Sequence, residues 1–448
     1  MLKDKIYNYK NILKRKKYKI AVWGTGYIGL STMIYFSKKN IQCLGFDIDQ
    51  LKVNKINKGI IPLTDLEKWY GFNISKLIKS GNMAATSKFE DLISNEFLVH
   101  FIAIPTEKDG KPYFNILFDV LEKITKLKKL KLNNPPLIII ESTLTPKFSE
   151  KKILPYFNKH NIKIGEDILY SVAPRRDWFV EGTKTLDKLD RVFGSADFKS
   201  GLETKRVLSI VCKKLHQATS HKEAEMVKSV ENAYRHMDIT LANQISLAYP
   251  NENIREVMRL VGTKWNLNTY YPGFGTGGYC IPLSSQYVIS QVSNKNKLTL
   301  LRETLKTDKF INIKIAQSII KRPLKKIGVL GLSYKGNLKV SNLSPVIPFI
   351  GQLRKYGKNV KVCDPFFSSK EIKNICGTEA FKFPNDLKKF DCLIIATDHK
   401  QFKKISKKKL INFTKNCKFI LDIHGIWENK DFNINTLYKI SGDKGWLN

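Results

Sequence analysis

The sequence has 448 residues, with 77 Lys and Arg against 40 Asp and Glu, for a formal net charge of +37. That length predicts two or three domains of ordinary size, each able to bury its own core, and hydrophobic residues at 42% with aromatics at 11% exclude global disorder. Only 11 of the basic residues are Arg; a nucleic-acid surface would favour Arg for bidentate contacts, so the 66 scattered Lys read as compositional bias and no nucleic-acid partner is expected.

No apolar run approaches the roughly 18 residues of a membrane span; stretches such as 97–104 and 137–140 are far shorter. The start, MLKDKIYNYKNILKRKKYK, is charged and has no apolar segment, which predicts no signal peptide. Residues 1–17 read as a basic leader, with Lys14 to Lys17 a flexible tail. The seven cysteines (43, 212, 280, 363, 376, 392, 417) are odd in number and lack metal-ligand spacing, which predicts a reducing, cytoplasmic environment and no structural zinc.

From Lys19 to Trp23 a short apolar run meets GTGYIGL and then a helix-like stretch, and a second apolar run ends at Asp47. Runs at 97–104, 137–140 and 168–172 alternate with helical patterns, so residues 18–215 are expected to form a parallel, doubly wound sheet. Over His221 to Tyr249 apolar residues recur at helical spacing without Gly or Pro, which predicts one long helix within a central helical domain, 216–322. Strand patterns return at 326–330, 359–363, 391–396 and 418–422, so 323–448 is again α/β. The expected fold is therefore α/β, with two Rossmann-like doubly wound domains joined by a helical middle.

Two motifs carry chemistry. Gly24, Thr25, Gly26, Tyr27, Ile28 and Gly29 lie between a strand and a helix: Gly24 permits the tight turn, Gly26 lets a pyrophosphate approach, and Gly29 allows close helix packing. Asp47 follows 18 residues after Gly29, where a carboxylate binds the ribose 2′-hydroxyl and repels a 2′-phosphate. Dinucleotide binding is expected here, with NAD favoured over NADP. The second motif, GFGTGGYCIP from Gly273 to Pro282, has four glycines in six positions and delivers Cys280 from a constrained loop. Composition alone leaves open a flexible turn with an incidental thiol.

Through these motifs the chain resembles the UDP-glucose/GDP-mannose 6-dehydrogenases over nearly its whole length, from about Lys19 to Trp427. GFGTGGYCIP matches that family's cysteine loop except that Phe274 replaces a Pro, and the Ile-Pro after Cys280 is nearest the UDP-N-acetylmannosamine branch. Further matches are EST at Glu141 to Thr143, the Arg-Val at Arg191, the helix pattern Lys228, Asn232 and Asn243, GLSYK at Gly331 to Lys335, Ser344-Pro345, and CDP at Cys363 to Pro365.

The resemblance implies oxidation of a sugar primary alcohol to a carboxylate with two NAD⁺ reduced per sugar. It assigns Cys280 as nucleophile, Lys228 and Asn232 as stabilisers of developing oxyanions, and Thr143 as the group that positions water. Thr106 and Thr143 join the cofactor site, together with Gly24, Gly26, Tyr27, Ile28, Gly29 and Asp47. The nucleotide-sugar would be held by Lys228, Asn232, Tyr271, Gly275, Gly277 and Lys335, and by Lys264, which falls where the family places an Arg reaching from a neighbouring subunit. A homodimer through the long helix is the implied partner arrangement.

The chain departs from that family's pattern at several carboxylates and cations. Ser284 stands for an Asp four residues after the cysteine, and Arg175 stands for the Glu of an SPE segment. Asp177 or Glu181 is then the candidate replacement base, Glu181 matching the family's second Glu. Asn342 replaces a cofactor-contacting Arg, and His424 replaces a substrate-binding Arg two positions after Asp422. Apart from His424, the histidines read as satisfied core or surface groups. The alternatives left open are a divergent member with incomplete oxidation and a nucleotide-sugar-binding relative without turnover.

Overall fold

In the first strand, KIAVW, four of the five residues are buried, as expected of a strand covered on both faces. The computed structural model describes residues 7–16, 18–63, 73–128, 134–177, 186–428 and 430–448. The chain forms two compact units, Met1–Val230 and Glu231–Asn448.

The first unit contains β1 (Lys19–Trp23), β2 (Cys43–Phe46), β3 (Met83–Thr86), β4 (Phe97–Ile102), a small antiparallel pair β5 (Glu107–Lys108) and β6 (Lys111–Pro112), β7 (Leu137–Ile140), β8 (Leu169–Val172), β9 (Arg191–Ser195) and β10 (Leu215–Gln217). Eight of these form one sheet in the order β10-β9-β8-β7-β4-β1-β2-β3. All its pairs are parallel except β8 with β9. The strand order reverses beside β1, which puts a ligand crevice at the carboxyl ends of β1 and β4. One polar residue interrupts β4: His100 accepts a hydrogen bond from Trp23 Nε1 at 3.2 Å on its Nδ1, and burial pushes its pKa down to about 3, so it is a neutral core histidine.

The basic leader contains a helix ahead of the expected tail. Tyr9–Lys14 is a helix with Tyr9 and Leu13 buried, and Tyr9 N donates to Glu203 Oε2 at 2.8 Å. Its apolar residues recur four apart, enough for one packed face. Lys17 lies outside the described residues.

The long helix spans His221–Ala248, as its periodicity predicts, and its first turns belong to the first unit. The second unit continues with helices Ile254–Val261, Cys280–Ser290 and Thr299–Ile320. It ends in β11 (Lys326–Leu330), β12 (Asn359–Cys363), β13 (Glu379–Ala380), β14 (Cys392–Ile395), β15 (Phe419–Asp422) and β16 (Leu437–Ile440). These run parallel in the order β13-β12-β11-β14-β15-β16, a doubly wound sheet whose switch point is beside β11. Among the described residues no helix is long and apolar enough to cross a membrane.

Candidate active site

In the first unit the three glycines have separate physical reasons. Gly24 has φ +86°, and a Cβ there would lie 2.6 Å from Ala103 O; a Cβ on Gly29 would lie 1.8 Å from Gly24 O. Neither position tolerates a side chain. A Cβ on Gly26 would meet nothing within 4 Å, so this glycine opens space at the start of helix Tyr27–Ser37. Open space before a helix N-terminus suits a pyrophosphate, and the turn therefore fits a dinucleotide. Tyr27 and Ile28 begin that helix.

Asp47, just past β2, braces the turn. Its Oδ2 accepts from Thr25 N and Thr25 Oγ1, both at 2.8 Å, and from Lys52 Nζ at 2.9 Å, while Oδ1 accepts from Asp49 N at 3.0 Å. Burial presses this carboxyl upward, but the hydrogen bonds from Lys52, Asp49 and Thr25 outweigh it and hold the group below its ordinary value. The second unit repeats the device. Asp364 Oδ2, after β12, accepts from Leu332 N at 2.8 Å and Ser333 N at 3.0 Å in the turn after β11, and His399 Nε2 approaches the same oxygen at 3.0 Å.

Beyond β4 and β7, Thr106 Oγ1 donates to Thr143 O at 2.7 Å, so these two sequence-predicted residues are brought together. Beneath them lies a buried ionic cluster. Glu141 receives Arg191, Arg175 Nη1 at 3.5 Å and Thr32 Oγ1 at 2.6 Å. Arg175 grips Asp177 with Nε to Oδ2 at 2.6 Å and Nη2 to Oδ1 at 2.8 Å, and Nη2 also donates to Ser31 at 2.8 Å. Burial raises the Asp177 carboxyl, but the Arg175 charge beside it brings the group below its ordinary value. Asp177 is thus the counter-ion of Arg175, not the free base the sequence allowed. Glu181 lies outside the described residues.

In the second unit Cys280 opens helix Cys280–Ser290, a helix that the glycines and Pro282 concealed. It is exposed; Cys43, Cys212, Cys376, Cys392 and Cys417 are buried and Cys363 is half-buried. Asn232 Nδ2 donates to Cys280 O at 3.2 Å and to Ser284 Oγ at 3.0 Å, and Ser284 Oγ donates back to Cys280 O. The first turn is therefore pinned to the long helix by neutral groups. Lys228, one turn earlier on the long helix, is half-buried.

Asp308, which carried no signal in the sequence, and His236, a satisfied core histidine as expected, hold the glycine loop. Asp308 accepts from Thr276 N at 2.8 Å and from Thr276 Oγ1 at 2.6 Å, and lies 3.3 Å from His236 Nε2, whose Nδ1 meets Ser285 Oγ at 3.0 Å. A Cβ on Gly275, which has φ +92°, would strike Asp308 Oδ1 at 2.3 Å, and one on Gly277 would strike Tyr334 Cβ at 2.4 Å. These glycines make room for protein neighbours. Their spacing signalled a close approach, but the partner, far away in sequence, was not legible.

A cavity of about 270 Å³ lies in this unit, and Asn243, Arg255, Tyr271, Gly275, Tyr334 and His424 are among the residues that line it. It takes in Tyr271 and Gly275 of the expected substrate residues; Gly277, Lys264 and Lys335 are not part of its lining. Lys264 is exposed beyond helix Ile254–Val261. The His424 imidazole has Nε2 3.2 Å from Ala396 O.

Family models match in three consecutive segments: the NAD binding domain of the UDP-glucose/GDP-mannose dehydrogenase family over residues 18–215, its central domain over 222–309 and its UDP binding domain over 328–429. Protein CapL of Staphylococcus aureus is 27% identical over 433 residues, covering 93% of this chain and 98% of its own. The UDP-N-acetyl-D-mannosamine dehydrogenase of Methanococcus aeolicus is 28% identical over 450 residues, covering 96% of each chain. Among solved structures, the UDP-D-ManNAc dehydrogenase of Pyrococcus horikoshii superposes with a TM-score of 0.82 at 25% identity, over 95% of this chain and 99% of its own.

Proposed function

The chain belongs to the UDP-glucose/GDP-mannose dehydrogenase family, and from that premise we propose that it oxidises the C6 primary alcohol of a UDP-linked N-acetylhexosamine to a carboxylate. It is an NAD-dependent nucleotide-sugar dehydrogenase, with the dinucleotide on the Gly24–Gly29 turn and the nucleotide in the second unit. The observation that carries the reading is Cys280: an exposed thiol at the start of a helix whose first turn is anchored by Asn232.

Bound NAD⁺ supplies the hydride acceptor, used twice per sugar. Cys280 Sγ adds to the C6 aldehyde left by the first oxidation and holds it as a thiohemiacetal, a tetrahedral centre that can again lose hydride. The same sulfur then carries the acyl group as a thioester until water releases it. Lys228 supplies positive charge for the alkoxide and the tetrahedral oxyanion. Asn232 has both amide hydrogens on Cys280 O and Ser284 Oγ, so its part is to fix the nucleophile's turn. Thr143, with Thr106 bound to its carbonyl, positions water.

One observation favours a second outcome of the same chemistry. Ser284 supplies no carboxylate beside Cys280, and Asp177 is committed to Arg175, which leaves Glu181 as base and slows thioester hydrolysis. The enzyme acts in the cytoplasm as a homodimer and supplies a uronic acid nucleotide for glycan synthesis. The test is incubation of the purified protein with UDP- and GDP-sugars, following NADH and the intact mass. NADH with a UDP-N-acetylhexosamine, and loss of the carboxylate product in Cys280→Ser, is the expected result. No NADH with any nucleotide sugar would overturn the proposal.

A further inference from the structure

Arg255 is the only residue lining the second unit's cavity that carries a permanent charge. It is also incompletely used. Its main-chain N donates to Gly442 O at 3.1 Å, Nη2 donates to His424 O at 3.1 Å, and the guanidinium lies over the Tyr271 ring, 4.5 Å from the centroid. Nη1 is buried and has no hydrogen-bond partner. Among the described residues no carboxylate pairs with Arg255. The nearest candidate in sequence, Glu256, is gripped by Arg259 at 2.7 and 2.6 Å. In the first turn of helix Ile254–Val261 a cation also faces the unfavourable end of the helix dipole.

A second lining group shows the same imbalance. Asn243 Oδ1 accepts from Gly273 N at 2.7 Å, whereas the buried Asn243 Nδ2 donates to nothing. Buried polar groups ordinarily find partners, and two orphaned N–H donors on residues that line one cavity point to a ligand rich in acceptors. His424 supplies no counter-ion, since an imidazole is either neutral or positive. A neutral acceptor would satisfy Asn243; a guanidinium without a counter-ion calls for an anionic oxygen.

We propose that Arg255 binds a phosphate oxygen of the nucleoside diphosphate in this cavity, with Asn243 Nδ2 as a second donor to the ligand. The assignment rests on the nucleotide-sugar reading above and adds the cation that serves it. Tyr271 acts as a platform, stacking on the guanidinium and holding the fork towards the cavity. Arg255 is a substrate-binding residue and takes no part in the redox chemistry.

The test is calorimetric titration of the full-length protein with UDP and with uridine, in wild type, Arg255→Gln and Arg255→Lys, with NADH binding as the control. Loss of a charge-assisted bond is expected to raise the Kd for UDP by roughly 10- to 100-fold in Arg255→Gln while uridine and NADH binding stay within twofold. Arg255→Lys should recover part of the loss, and KM for the nucleotide sugar should rise far more than kcat falls. UDP binding by Arg255→Gln within twofold of wild type would overturn the assignment. If Arg255→Gln does not fold, Arg255→Met decides, an unchanged UDP affinity again overturning it. Wild type that binds no UDP and oxidises no nucleotide sugar would instead refute the functional reading itself.

Discussion

Arg175 and Asp177 form a buried fork, with Nε to Oδ2 at 2.6 Å and Nη2 to Oδ1 at 2.8 Å. Breaking such a pair from one side leaves an uncompensated buried charge, a cost of about 3–5 kcal/mol. Asp177→Asn is therefore expected to lower Tm, and Arg175→Gln with Asp177→Asn should cost less than the two single changes added together. Because this carboxyl is held below its ordinary value, its stabilising effect is present above the unfolded value of 3.8 and is lost as pH falls further. An Asp177→Asn variant with unchanged Tm and no carboxylate product would make Asp177 a base instead.

The Asp47–Lys52 contact qualifies the cofactor preference. In the proposed cofactor site Asp47 would set negative charge against a 2′-phosphate, and Lys52 at 2.9 Å would partly neutralise it. Fluorescence titration should find NADH bound more tightly than NADPH, with the ratio narrowed on the order of tenfold in Asp47→Ala and widened in Lys52→Ala. Equal affinities in wild type would show that Asp47 does not discriminate.

Glu225 makes the first unit's stability fall with pH. Ser149 N donates to its Oε1 at 2.9 Å and Oε2 is unpartnered, while burial raises its pKa from 4.5 to about 7. The folded state therefore holds a proton that the unfolded chain has lost, so this contribution is complete below about pH 4.5 and is lost as pH rises through 7. Glu225→Gln should match wild type in stability near pH 5 and exceed it at pH 8 by at most about 3 kcal/mol, read as a Tm difference that grows with pH. An identical Tm difference at both pH values would contradict this account.

Apolar side chains left on the surface bear on assembly. Tyr234 and Leu241, two turns apart on the long helix, are exposed, as are Val257, Leu260 and Val261 of the next helix; Trp265 is 92% exposed. Exposed apolar side chains of this number on two successive helices are expected to be covered by a second copy of the chain. Light scattering should give a mass of at least a dimer, and Trp265→Ser with Leu260→Ser should shift it towards monomer. A monomer at micromolar concentration in wild type would refute the dimer and remove the basis for placing Lys264 in a neighbouring site.

What could be read in advance follows from the range of the interactions. The Gly24–Gly29 turn and the long helix are local patterns, and each was legible. Helix Cys280–Ser290 was not, because Gly278 and Pro282 mark a loop, although Pro in a first helical turn is compatible with helix. Nor were the short edge strands β10 and β16, whose polar residues lack the apolar run of a buried strand. Arg175 read as a lost base because its partners Ser31, Thr32 and Glu141 are far away in sequence, and only they show that the neighbouring Asp177 closes a buried cluster. Asp308 with His236, and Arg255 with Tyr271, likewise depend on tertiary packing alone.

The most direct test of the central claim is the number of NADH molecules formed per UDP-N-acetylhexosamine consumed, measured at limiting sugar with the full-length protein. The proposed chemistry at Cys280 predicts two, with the second delayed and an acyl adduct on Cys280 visible by intact mass if hydrolysis is slow. Ser284→Asp should then raise the steady rate more than the initial burst. A count of one, with aldehyde as the end product and no adduct on Cys280, would contradict it.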